Sequence, residues 1–125
     1  KSTFLSIFFY LLTDISRKEG SPMSKLESKF QKEFIAKVKA RYPGSIAIKN
    51  DSSYIQGFPD WTILYKDKWA VLETKRERGA KKQPNQEYYV DKLNNMSFSR
   101  FVFPENEDEV FEDLDILFKR KGRRQ

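Results

Sequence analysis

Residues 57–75, GFPDWTILYKDKWAVLETK, hold two short apolar runs on either side of the polar break Lys66-Asp67-Lys68. So short a break makes consecutive strands pair as an antiparallel hairpin, because a parallel return needs a crossover of about a dozen residues or more. The hairpin carries charges where strands bury themselves. Asp60 stands at the mouth of the first run, directly after Pro59, and Glu73 lies inside the second. Lys75 is two residues beyond Glu73, so it projects from the same face of the strand. A buried carboxylate is costly unless a partner compensates it.

The rest of the chain supplies elements that can pack on this hairpin. Leu26, Phe30, Phe34 and Val38 recur every four residues, widened by Ile35, and predict a helix that Pro43-Gly44 ends. Ser24 and Glu27 fit a capping box at its start. SIAIKN (residues 45–50) predicts a strand with Ile46 and Ile48 on one face. After the basic loop Arg76–Pro84, residues 85–94 predict a helix packed through Tyr89, Val90 and Leu93. Phe101-Val102-Phe103 predicts a strand that Pro104 stops. Asn106 then caps a last helix with acids in its first turn, where the helix dipole favours them, and Val110, Phe111, Leu114 and Leu117 on its buried side. The order α-β-β-β-α-β-α predicts an α/β fold, a mixed sheet with helices on both faces.

With 125 residues, 38% of them hydrophobic, the chain suits one folded domain. It has no cysteine and no histidine. Disulfide frameworks, thiolate zinc sites, histidine bases and Ser-His-Asp triads are excluded. The net charge is +6, and it is unevenly spread. Residues 23–118 balance 16 basic against 16 acidic residues, whereas residues 119–125 hold five basic and no acidic ones. Lys66–Lys82 is basic and Glu105–Asp115 acidic. A basic side on a neutral body suits a polyanionic partner, and it equally suits an ordinary solvated surface.

The apolar block FLSIFFYLL (residues 4–12) is too short to span a bilayer, which takes about 20 residues, and no small-x-small cleavage site follows it. Lys18-Glu19-Gly20 can be encoded by a ribosome-binding sequence just upstream of Met23. Residues 1–22 are therefore expected to be a translated leader or non-native extension, residues 23–118 the folded domain, and residues 119–125 a basic tail.

Two carboxylates at one end of a hairpin, with a main-chain carbonyl such as that of Thr74, make an all-oxygen site suited to Mg²⁺ or Mn²⁺. The order Gly57-Phe58-Pro59-Asp60, then Glu73-Thr74-Lys75, resembles the PD-(D/E)xK nuclease superfamily. With Glu27 in the first helix and Gln86 opening the second, it looks like the VRR-NUC branch and is also similar to small Holliday-junction resolvases. The resemblance covers roughly residues 24–104. It departs in NNMSFSR, which stands where a glycine often precedes the next strand, and the last helix and tail have no assigned counterpart. It implies a restriction-endonuclease-like α-β-β-β-α-β core, Asp60 and Glu73 as metal ligands, Lys75 as catalytic lysine, Glu27 as accessory acid and Gln86 as a residue that arranges the site or the phosphate. Lys49, Arg76, Arg78, Lys81 and Lys82 are expected to hold the DNA backbone, which needs only positive charge and reach.

The expected function is a Mg²⁺-dependent endonuclease hydrolysing DNA phosphodiester bonds. Selectivity for branched DNA or Holliday junctions is expected, in the cytoplasm of a bacterial or phage-infected cell and with no membrane partner. A resolvase needs two active sites and hence a two-fold homodimer. The alternatives are a catalytically inactive nucleic-acid-binding module, or an inhibitor presenting Glu105–Asp115 as a DNA-like acidic surface. Each residue also has an ordinary role. Asp60 can serve a turn, Glu73 and Lys75 a surface ion pair, Glu27 the capping box, and Gln86 a first helical turn.

Overall fold

The computed structural model describes residues 22–51 and 53–121. The expected leader, save Pro22, and the last four residues of the basic tail lie outside the described residues. Helix α1 (Pro22–Arg41) leads to strands β1 (Ile46–Lys49), β2 (Trp61–Tyr65) and β3 (Lys68–Thr74). Helix α2 (Gln86–Met96), strand β4 (Ser99–Val102), a 3₁₀ turn (Pro104–Asn106) and helix α3 (Glu107–Phe118) follow. The four strands form one sheet in the order β1-β2-β3-β4. The first two pairings are antiparallel, and β3 with β4 is parallel. This is the mixed α/β sheet flanked by helices that the periodicity predicts.

Successive side chains of β3 point to opposite faces. Ala70 and Leu72 join Ile63 and Val102 in a core completed by Phe30, Phe34 and Val38 of α1 and by Val110, Leu114 and Phe118 of α3. Helices α1 and α3 therefore cover one face. Rings interlock within this layer: Phe34 with Phe111 at 5.2 Å and Tyr42 with Phe118 at 4.8 Å between centroids. Each fully buried side chain of this size contributes roughly 1.5–3 kcal/mol. At the edges Lys37 pairs with Glu107 at 3.1 Å, and Arg41 binds Asp115 through two hydrogen bonds of 3.0 and 2.6 Å.

Helix α2 is the crossover between β3 and β4 and packs on those two strands through Val90 and Leu93. It takes the face opposite α1 and α3 but does not reach β1. Ile46 and Ile48 do share a face, and it is the outward one: they are 56% and 44% exposed, while Ala47 packs on the core. Leu26 is likewise exposed, so the apolar stripe of α1 starts at Phe30.

Two expected caps take other forms. Helix α1 begins at Pro22, ahead of Ser24, so the Ser24–Glu27 pair is not at the helix start. Asn106 is the residue before α3, yet its side chain bridges the end of β4: it donates to Phe101 O and accepts from the Phe103 N–H, both at 2.9 Å. Among the described residues, no helix is long and apolar enough to cross a membrane.

Candidate active site

Antiparallel pairing sets Trp61 opposite Leu72 and Thr62 opposite Val71. Continued by one residue, that register brings Asp60 to the same end of the sheet as Glu73. Parallel pairing of Thr74 with Val102 and the end of β1 at Lys49 complete this end. A cavity of about 480 Å³ opens there, and its walls include Glu27, Asp60, Glu73, Lys75 and Gln86. Residues dispersed over 60 positions of sequence thus border one space.

Glu73 is the most constrained of them. It is 2% exposed, and its Oε2 accepts from Gln86 Nε2 at 3.0 Å and lies 3.7 Å from Lys75 Nζ. Its Oε1 is buried with no hydrogen-bond partner. Burial, reinforced by the Asp60 charge and opposed by Lys75, pushes the Glu73 carboxyl up to about 8. Gln86 is itself oriented: its Oε1 accepts the Gln83 N–H at 2.8 Å, which aims the amide nitrogen at Glu73.

Asp60 is held from the α1 side. Its Oδ2 accepts from Gln31 Nε2 at 3.1 Å and from the Thr74 hydroxyl at 3.0 Å, and Lys49 Nζ lies 3.9 Å from Oδ1. Asn50 fixes the backbone here, donating its N–H to Asp60 O at 2.7 Å and its side chain to Pro59 O at 2.8 Å. Glu27 reaches the cavity one helical turn before Gln31. Burial raises its carboxyl, with Lys75 lowering it and Asp60 raising it further. Lys75 is 6% exposed and donates to Lys81 O at 3.1 Å, which ties the basic loop across the cavity.

The loops around the cavity are also tied to each other. Gly57 has φ +88°, and a Cβ there would meet Pro84 O and the Asn85 Cβ at 2.6 Å. Only glycine tolerates both this conformation and this approach. Phe58 packs on Tyr89 of α2 with ring centroids 5.7 Å apart.

The expected backbone-binding residues divide. Arg76 and Lys81 border the cavity and Lys49 flanks Asp60. Arg78 lies over the Phe103 ring and Lys82 over the Phe101 ring, so both stack on the β4 end of the molecule. Two contributors escape sequence reasoning, Gln31 and the Thr74 hydroxyl. Gln31 carries a usable signal, since it follows Glu27 by four residues and so shares its helix face. The Thr74 hydroxyl has none, because alternation places it on the other face from Glu73.

The chemistry of the site is that of oxygen donors. A buried carboxylate oxygen on Glu73 without a hydrogen bond, close enough to Asp60 for that charge to raise the Glu73 proton affinity, fits a divalent cation. Among the described residues no group of three or more acidic side chains is arranged to hold a metal. The donors available are therefore the Asp60–Glu73 pair, main-chain carbonyls and water, a set typical of Mg²⁺. No family model matches the chain, and no curated protein or solved structure matches it.

Proposed function

We propose that this protein is a metal-dependent endonuclease that hydrolyses DNA phosphodiester bonds, acting on branched DNA in the cytoplasm of a bacterial or phage-infected cell. The observation that carries the reading is the buried Glu73 carboxylate. One of its oxygens lacks a partner, Asp60 lies nearby, and Lys75 is alongside. A fold places two mutually repelling acids in a buried corner at a cost, and a cation offsets it.

Asp60, Glu73 and the main-chain carbonyl of Thr74 would hold Mg²⁺ or Mn²⁺. Such an ion lowers the pKa of bound water and stabilises charge on a phosphate. The chain's own groups do the rest. Gln86 keeps the Glu73 carboxylate facing the cavity, and Gln31 with the Thr74 hydroxyl orients Asp60. The Lys75 ammonium neutralises negative charge developing on the phosphate or holds the attacking water. Glu27, with its raised proton affinity, is the accessory acid. Arg76, Lys81 and Lys49 attract the strand by charge alone.

The deciding experiment incubates plasmid, duplex and four-way-junction DNA with wild type and Asp60→Ala, in Mg²⁺, Mn²⁺ or EDTA. Wild type is expected to cut only with metal. Asp60→Ala is expected to bind DNA as well or better without cutting, since removing the acid relieves repulsion with phosphate. Full activity of Asp60→Ala ends the assignment. A second reading, a binding module without catalysis, draws on the absence of a three-acid cluster among the described residues. It predicts a shift of DNA with no cutting in any metal. The acidic-surface reading loses ground. Of the seven acids in Glu105–Asp115, Glu107, Asp113 and Asp115 pair with Lys37, Arg100 and Arg41 of the same chain, and Glu105 accepts the Arg78 backbone N–H.

A further inference from the structure

The opposite end of the sheet carries a second concave site. The β2–β3 turn and the C-terminal ends of α1 and α3 converge on a hollow of about 700 Å³. Six basic side chains border it: Arg41, Lys66, Lys68, Lys119, Arg120 and Lys121. Among the described residues, Asp67 is the one acid on its wall. The floor is aromatic and rigid. Tyr65 and Tyr42 both pack on Phe118, at 5.3 and 4.8 Å between centroids, and Tyr42 donates its O–H to Asp115 at 2.7 Å.

Among the described residues the charges are only partly compensated. Arg41 is bound by Asp115, and Lys68 by Asp67 at 2.7 Å. Lys66 lies over the Tyr65 ring. Among the described residues, Lys66, Lys119, Arg120 and Lys121 have no carboxylate within ion-pair distance, and all four are exposed. The sequence continues with Arg123 and Arg124. Cations beyond a helix C-terminus do complement its dipole. That accounts for Lys119 and Arg120 but not for Lys66, which comes from a strand turn.

We propose that this hollow is a second phosphate-binding site for the backbone of a nucleic acid. The inference rests on the nucleic-acid reading given above and extends it from one end of the molecule to both. The chemistry is non-specific: flexible ammonium and guanidinium groups over a shallow floor hold successive phosphates without reading bases. The spacing lets one duplex, through one strand or the other, meet both ends. From Asp60 to Lys66 the chain advances six residues along β2, about 20 Å at roughly 3.3 Å per residue. At about 3.4 Å per nucleotide along a duplex strand, that spans about six nucleotides. A substrate gripped at the hollow therefore reaches the acidic cavity about half a helical turn away.

The test measures binding in EDTA, so that it does not depend on cutting. Labelled duplexes of about 6 and about 24 base pairs are titrated against wild type and the triple variant Lys66→Ala/Lys119→Ala/Arg120→Ala over a range of salt. The proposal expects the triple variant to bind the long duplex at least tenfold more weakly. Its log–log salt slope should be shallower by about 2–3, since each lost phosphate contact removes about 0.9. The conservative variant Lys66→Arg/Lys119→Arg/Arg120→Lys should restore both, which separates charge from folding. Unchanged affinity and slope on the long duplex overturn the proposal, even if the protein cuts DNA. So does a defect that appears only with anionic-lipid vesicles or with inorganic phosphate. Failure of wild type to bind any duplex removes the nucleic-acid reading together with it.

Discussion

The two faces of β3 are made of the same seven-residue strand and do opposite things. Ala70 and Leu72 enter the layer beneath α1 and α3, which is built mainly of apolar side chains and interlocking aromatic rings. Val71 and Glu73, with Lys75 just past the strand, turn toward α2. There the packing ends at Val90 and Leu93, and a buried acid and a buried base take over. Both faces bury the side chains they hold. Only the first gains stability by doing so, because desolvating a carboxylate opposes folding as surely as burying a leucine favours it. The contrast separates what holds the fold from what the fold holds.

The sharpest way to break this contrast is to damage each face in turn. Phe34→Ala empties a fully buried site on the apolar face and is expected to cost about 3–5 kcal/mol by denaturant titration. The cleavage rate per folded molecule should stay near wild type. Glu73→Gln should do the reverse. Cleavage in Mg²⁺ is expected to fall by about 10²-fold or more, while thermal stability is retained. Loss of stability in Glu73→Gln with cleavage intact would invert the assignment of the two faces.

The pH dependence of the metal-free protein sharpens the same point. The carboxyl of Glu73 holds its proton up to about 8 in the folded state, against an ordinary value of 4.5. Between those values the folded state binds a proton that the unfolded state has released. Stability is therefore full below the ordinary value and declines as pH rises through the folded one. Melting temperatures from pH 5 to pH 9 should fall in wild type and stay flatter in Glu73→Gln. Mg²⁺ should restore wild-type stability at pH 8, where the carboxylate is available. Asp115, held down to about 2 chiefly by its hydrogen bond to Arg41, titrates below this window and does not disturb it.

Smaller effects are expected at the margins. Gly57→Ala combines a left-handed φ with a backbone clash at Pro84 and Asn85, and should cost on the order of 1–3 kcal/mol. It should also lower cleavage, because those loops border the cavity. Ile46→Thr on the uncovered part of the sheet should change stability by no more than about 0.5 kcal/mol. A cost several times larger would mean that this surface is buried in solution.

Much of the architecture was legible because it rests on periodicity. The spacing of Phe30, Phe34 and Val38 specifies a helix face, and the short Lys66-Asp67-Lys68 break specifies a hairpin. Periodicity does not say which face of a strand is covered. Ile46 and Ile48 alternate as a buried pair would, but α2 stops short of β1 and leaves them in solvent. In the site, Asp60, Glu73 and Lys75 stood out because charges interrupt apolar runs. Glu27 was obscured by an equally good capping-box explanation, which fails once α1 starts at Pro22. The Asn50 clamp and the Thr74 hydroxyl left no trace in the sequence. The first depends on backbone carbonyls of residues 59 and 60 and the second on the Asp60 carboxylate, and these meet only in the folded chain.

The hydrogen bond from Lys75 to the carbonyl of Lys81 gives one ammonium group two employments. At rest it is a latch, fastening a positively charged loop shut over the acids behind it. Under the proposed function, an incoming phosphate would compete with the Lys81 carbonyl for this ammonium, so binding it would loosen the loop.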